Sequence, residues 1–190
     1  MGVDPGKLVV TGIPNFDDAE KLRHNDFPHH GYVLVATSDL RETFTPDNRR
    51  KFIAHCTHIA AGRPLIFKLH PNEKVDRAVA EIRRYAPPGT LVFTDGHTDH
   101  MIANCVELIT QYSTVVYMGL ALGKPVHSYF DVEDLRRKQP WQNGGTSARR
   151  IAAICRSFSR FQGSGPEFLR QYQPEEFAAA SPTNGSLAVH

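Results

Sequence analysis

The chain has 190 residues, a length that can bury one good core and that favours a single domain over two. Its 41% hydrophobic, 22% charged and 9% aromatic residues are those of an ordinary globular domain and exclude collagenous, disordered and mucin-like chains. Twenty-two Lys and Arg against twenty Asp and Glu leave a formal charge of +2, too balanced for an electrostatic footprint on DNA or RNA, so no nucleic-acid partner is expected.

In chain order, the first thirty residues differ from the rest. A short apolar strand at Leu8 to Val10 leads to the turn Gly12-Ile13-Pro14, an acidic stretch and the polar run Arg23 to His30. Residues 1–30 read as an opening segment that leads into a main sheet. Apolar runs of strand length follow at Tyr32 to Ala36, Leu65 to Lys68, Thr90 to Thr94, Val106 to Thr110 and Pro125 to Tyr129. Between and after them, helical spacing marks Pro46 to Ala61, Val75 to Tyr85, His100 to Asn104, Ser113 to Leu122, Val132 to Lys138 and Ser147 to Phe158.

Strand and helix alternate, and the strands are apolar throughout, so both faces of the sheet must be covered. That pattern predicts an α/β Rossmann-like parallel sheet with helices on both faces, joined by right-handed crossovers, over residues 31–162. A C-terminal helical tail is expected over 163–180, and the Ser, Pro, Asn and Gly-rich end, 181–190, reads as disordered. Cys56, Cys105 and Cys155 are odd in number, widely spaced and set among apolar neighbours, as reduced, buried thiols are. No window approaches the roughly 20 apolar residues of a transmembrane helix, and no signal peptide opens the chain. The expected location is cytoplasmic, with peripheral membrane contact left open.

In a doubly wound sheet, ligands collect beyond the carboxyl ends of the strands. After Ala36 come Thr37, Ser38 and Asp39, with Arg41 behind them. These residue types suit phosphate or ribose, and they suit turns and helix caps equally well. After the next strand, Pro71 holds His70 extended at the sheet edge. Its imidazole can donate to a phosphate oxygen or a sugar leaving group, or simply serve the surface. Ser113 or Thr114 caps an apolar helix, whose N-terminus also suits an anion. Asp131 can bind ribose hydroxyls or cap the following helix.

Lys68-Leu69-His70-Pro71 and Ile109-Thr110-Gln111-Tyr112-Ser113-Thr114, followed by Gly119 and Leu122-Gly123-Lys124-Pro125-Val126, together resemble a known pattern. It is that of the C-terminal, nucleotide-sugar-binding domain of GT-B glycosyltransferases. The likeness is greatest to capsule, teichoic-acid and sialic-acid transferases, with their His-Pro and Ser-Ser or Ser-Thr motifs, and it spans about Tyr32 to Phe158. The resemblance implies one half of a GT-B architecture and a role in surface polysaccharide or glycoconjugate synthesis. The donor it implies is CMP-, CDP- or UDP-activated, bound as substrate, with no cofactor and no metal. His70 would contact the donor phosphate and assist the leaving group as the catalytic residue, and Ser113 and Thr114 would bind phosphate. Thr94 and His97 would lie near the base; the sheet-edge reading adds Thr37, Ser38, Arg41 and Asp131, and Gln111 of the motif completes the expected binding set. Polymer-forming members commonly carry Asp where this chain has Gln111, so a carboxylate role is unavailable there.

GT-B enzymes use two such domains, and 190 residues hold one. A missing N-terminal acceptor domain is therefore expected as a partner, with this chain an excised domain or truncated reading frame that is inactive alone. Two other readings compete. UDP-N-acetylglucosamine 2-epimerases share the fold, although their Ser-Gly-Gly phosphate loop is not evident at Ser113-Thr114-Val115. A non-catalytic nucleotide-binding or interaction module would need no second domain. The pairs His55/His58 and His97/His100 have i,i+3 spacing for a metal but lack a third ligand.

Overall fold

The computed structural model describes residues 8–9, 11–43, 47–142 and 146–172, the side chains of 138–142 excepted. The chain divides into two compact units, one of residues 18–139 and one of residues 1–17 with 140–190.

The first unit is built on five parallel strands: β1 (Val33–Ala36), β2 (Leu65–Lys68), β3 (Leu91–Phe93), β4 (Glu107–Thr110) and β5 (Val126–His127). Their order is β3-β2-β1-β4-β5. The alternating helices are α1 (Arg49–Ala60), α2 (Val75–Tyr85), α3 (Thr98–Asn104), α4 (Val115–Ala121) and α5 (Val132–Gln142). β1 lies at the centre, and all four of its residues are buried. Val33 and Val35 join Phe52, Ile53, Cys56, Ala78 and Ile82 in one core under α1 and α2. Leu34, Ala36 and Leu108, which alternate to the other face, are buried as well, and α3 and α4 pack there against β1 and β4. This is the Rossmann-like α/β sheet that the continuous apolar strands predict.

Strand and helix limits shift where side chains intervene. α1 begins at Arg49, where Asn48 caps it by accepting the Lys51 N–H on Oδ1 at 3.0 Å, and Pro46, where the helix was expected to begin, lies outside the described residues. β5 is shorter than expected: the Ser128 hydroxyl donates to the Gln111 carbonyl at 2.9 Å and accepts the Phe130 N–H at 3.2 Å, which turns the chain away. α4 approaches the sheet closely at Gly119, where a Cβ would stand 2.6 Å from Leu108 Cδ2 and 2.9 Å from Val126 Cγ2. Before β1, Asn104 binds the leading segment: its amide donates to Asn25, Phe27 and His29 oxygens at 3.0 to 3.2 Å.

In the second unit, the expected strand at Leu8 to Val10 does not form at Leu8 and Val9, and Val10 lies outside the described residues. A 3-10 turn at Pro14–Phe16 leads to Asp17, whose carboxylate accepts the Ser147 and Ala148 amides at 2.9 and 2.8 Å. A residue 130 positions away thus caps α6 (Ser147–Arg160). α7 (Gly165–Gln171) opens with the Ser164–Glu167 capping box and packs Phe168 against Phe158, Phe161 and Tyr172, with ring centroids 5.1 to 5.6 Å apart. Of the helical tail expected over 163–180, α7 is described, ending at Gln171, and residues 173–180 and the end segment 181–190 lie outside the described residues.

Candidate functional site

The chain runs from β1 outward through β2 to β3, then returns to the other side of β1 for β4 and β5. At that reversal of strand order, between β1 and β4, a doubly wound sheet places its binding crevice. Three polar side chains meet there. Gln111, 0% exposed, accepts the Ser38 hydroxyl on Oε1 at 3.0 Å and donates from Nε2 to Asp47 Oδ1 at 2.9 Å. Gln111 is a buried link between the β4 loop and the β1 loop, with its side chain spent inside the protein.

Beside it, at the end of β2, a second network forms around Glu73. Thr37 and Arg49 both donate to the Glu73 carboxylate, and the His70 backbone N–H donates to Thr37 Oγ1 and Glu73 Oε2 at 3.0 and 3.2 Å. Thr37 therefore fixes the turn at His70 from within. The His70 ring is different, since its side chain is 32% exposed. Nδ1 accepts the Asn72 N–H at 3.2 Å, so the neutral ring carries its proton on Nε2. Asn72 also donates to Asp39 at 3.0 Å, and that bond holds the Asp39 carboxyl below its ordinary range against a smaller effect of burial.

The remaining candidates divide the same way. Arg41 grips Glu81 of α2 with both terminal nitrogens, at 2.9 and 2.8 Å, which draws its guanidinium towards α2. Asp131 caps α5, its Oδ1 accepting the Asp134 N–H at 3.0 Å. Thr94 and His97 follow β3 at one edge of the sheet, two strands from the crevice, and both are exposed. Ser113 is half-buried and Thr114 exposed just after Gln111, at the start of α4. Thr114 occupies the cap position without a side-chain cap bond, and Val115 N–H reaches Ser113 Oγ at 3.5 Å. The structure thus groups Thr37, Ser38, His70, Gln111, Ser113 and Thr114 at the ends of the three central strands. Of these, His70, Ser113 and Thr114 present chemistry to solvent.

Several contributors escaped the sequence reading. Tyr112, 53% exposed, meets Tyr129 and Phe130 edge-on at 5.3 and 5.4 Å, which sets an exposed aromatic cluster beside Ser113. Arg49, Asp47 and Glu73 form a buried charged cluster. Arg49 repeats with Phe52, Ile53, Cys56 and Ala60 at helical spacing, a signal that placed it inward. Lys68 is buried at the end of β2, its ammonium donating to the Leu69 and Thr94 carbonyls at 2.9 and 3.2 Å, and burial lowers its pKa despite the opposing charge of Asp95. The rings of His97 and His100 lie 5.0 Å apart, and among the described residues no three His, Cys, Asp or Glu side chains gather as a metal site. No helix among those residues is long and apolar enough to cross a membrane.

No protein-family model matches the sequence, and no curated protein does. Among solved structures, the chain is similar to a "putative UDP-N-acetylglucosamine 2-epimerase" from Listeria monocytogenes, with a TM-score of 0.62 at 15% identity over 85% of this chain and 56% of that one. A second match, at a TM-score of 0.41 and 16% identity, is the Thermosulfurimonas dismutans KpsC, a beta Kdo 2,4 transferase, over 82% of this chain and 54% of that one. The first likeness establishes the fold as the Rossmann-like, GT-B type of α/β domain. The chain spans little more than half the length of either solved protein.

Proposed function

We propose that this domain binds the nucleotide-sugar donor of a glycosyltransferase acting in surface polysaccharide or glycoconjugate synthesis, and that a second domain supplies the acceptor site. The observation that carries the reading is His70: a half-exposed imidazole at the carboxyl edge of a GT-B type sheet, with Nδ1 occupied by the Asn72 amide and Nε2 left to donate. An Nε2–H donor stabilises the charge that develops on a phosphate leaving group. Ser113 and Thr114 offer two hydroxyls from the other side of β1, and the exposed rings of Tyr112, Tyr129 and Phe130 suit stacking with a base or sugar. The donor is CMP-, CDP- or UDP-activated, and nothing in this scheme calls for a metal. Two buried, unpaired thiols, Cys56 and Cys105, fit a reducing cytoplasm.

A thermal-shift panel of CMP, CDP, UDP, GDP and ADP tests this directly. A ligand present at about 100 times its dissociation constant adds roughly 2.7 kcal/mol of stability. One pyrimidine nucleotide should shift the transition, and His70→Ala and Ser113→Ala should abolish the shift while leaving the unliganded melt in place. With UDP-N-acetyl sugars added to the panel, a clear preference for them over UDP would favour the epimerase-like reading. Absence of any shift would leave the interaction module.

A further inference from the structure

A different part of the first unit carries the chemistry of an anion site. α1 is twelve residues long, and the amides of Arg49 and Arg50 at its start have no intrahelical acceptor and lie at the positive end of the helix dipole. The Arg49 side chain is 97% buried, since 3% of it is exposed. Its Nη2 donates to Glu73, but Nε and Nη1 find no hydrogen-bond acceptor among the described residues. Arg41 likewise has a buried Nε without an acceptor, while its other two nitrogens hold Glu81. The single carboxylate oxygen near both Nε atoms, Asp47 Oδ2, stands 3.9 Å from each.

These groups line one cavity of about 600 Å3, bounded by Arg41, Asp47, Asn48, Arg49, Arg50 and Glu81, with Tyr85 at its margin. With Glu73, which Arg49 holds, three guanidinium groups meet three carboxylates, so what sets the cavity apart is its spare N–H groups rather than its net charge. Buried guanidinium N–H groups without acceptors are costly, and a tetrahedral oxyanion presents several acceptors at once to a fork of such donors. Arg50, exposed and set 5.7 Å over the Tyr85 ring, adds a third guanidinium to the lining. The spare N–H groups and the helix start agree on one ligand class.

We propose that the start of α1, with Arg41, Arg49 and Arg50, forms a binding site for a phosphate group, either inorganic phosphate or a phosphomonoester. The site is separate from the His70 and Ser113 chemistry and stands whether or not a nucleotide binds there. Its test is a titration of the full, 15N-labelled chain with inorganic phosphate, and in parallel with glucose 1-phosphate, followed through the Arg49 and Arg50 amide signals. Saturable shifts at those two amides are expected, weakened about tenfold or more, or about 1.4 kcal/mol, in Arg50→Glu and unchanged in His70→Ala. Arg50 is exposed, so its replacement leaves the core intact, and the unliganded spectrum verifies this. Tighter binding of glucose 1-phosphate would identify an organic phosphate, and equal binding the free ion. Shifts absent from both amides, surviving Arg50→Glu, or lost in His70→Ala would overturn the site.

Discussion

Gln111 illustrates how a binding-loop residue can belong to the scaffold. Its carboxamide has an acceptor and a donor end, and each meets a partner of the opposite kind, Ser38 and Asp47. A carboxylate at this position would face the Asp47 carboxylate with no proton to share, which accounts physically for an amide here. Gln111→Leu preserves much of the volume but strands both partners. Unsatisfied buried polar groups cost about 1 to 3 kcal/mol each, so with two partners stranded stability should fall by about 2 to 6 kcal/mol. Urea denaturation checks this, and an unchanged midpoint would mean that Ser38 and Asp47 find other partners. The motif at 111–114 was visible in the sequence, but the direction of each side chain was not, because it depends on hydrogen bonds across 36 to 73 positions of chain. Thr37, Ser38 and Gln111 turned inward for that reason, while the proline after His70 fixed a local geometry that could be read directly.

At the scale of elements, continuous apolar runs located every strand of the sheet, and α2 ran from Val75 to Tyr85 as its spacing predicts. Ends were less legible, since caps arrive from outside the element. α6 is the plainest case: its first amides are held by Asp17, from the far end of the chain. Burial raises the Asp17 pKa, but the amides of Ala148 and Ser147 together outweigh it and hold the carboxyl below its ordinary value of 3.8. A depressed pKa in the folded state gives stability that is present above the ordinary value and is lost as pH falls through the lower, folded one. Asp17→Ala should therefore cost about 1 kcal/mol at neutral pH, and the difference from wild type should shrink below the ordinary carboxylate range. Amide exchange at Ser147 and Ala148 as a function of pH measures it; a difference that persists undiminished at low pH would remove the carboxylate from the account.

For the whole molecule, the division into units makes a further expectation concrete. Residues 18–139 contain all five strands and the helices α1 to α4, with both faces of the sheet covered. A fragment of those residues should keep the α/β circular dichroism signature and unfold in one cooperative urea transition. A broad, non-cooperative transition would show that the sheet depends on the other unit. The two units also differ in their thiols. Burial pushes Cys56 up to about 12 and Cys105 up to about 11, whereas Cys155, on α6, is exposed. At neutral pH a maleimide dye will thus react with the smaller unit alone, and the natural chain can carry a single fluorescent reporter there without any substitution.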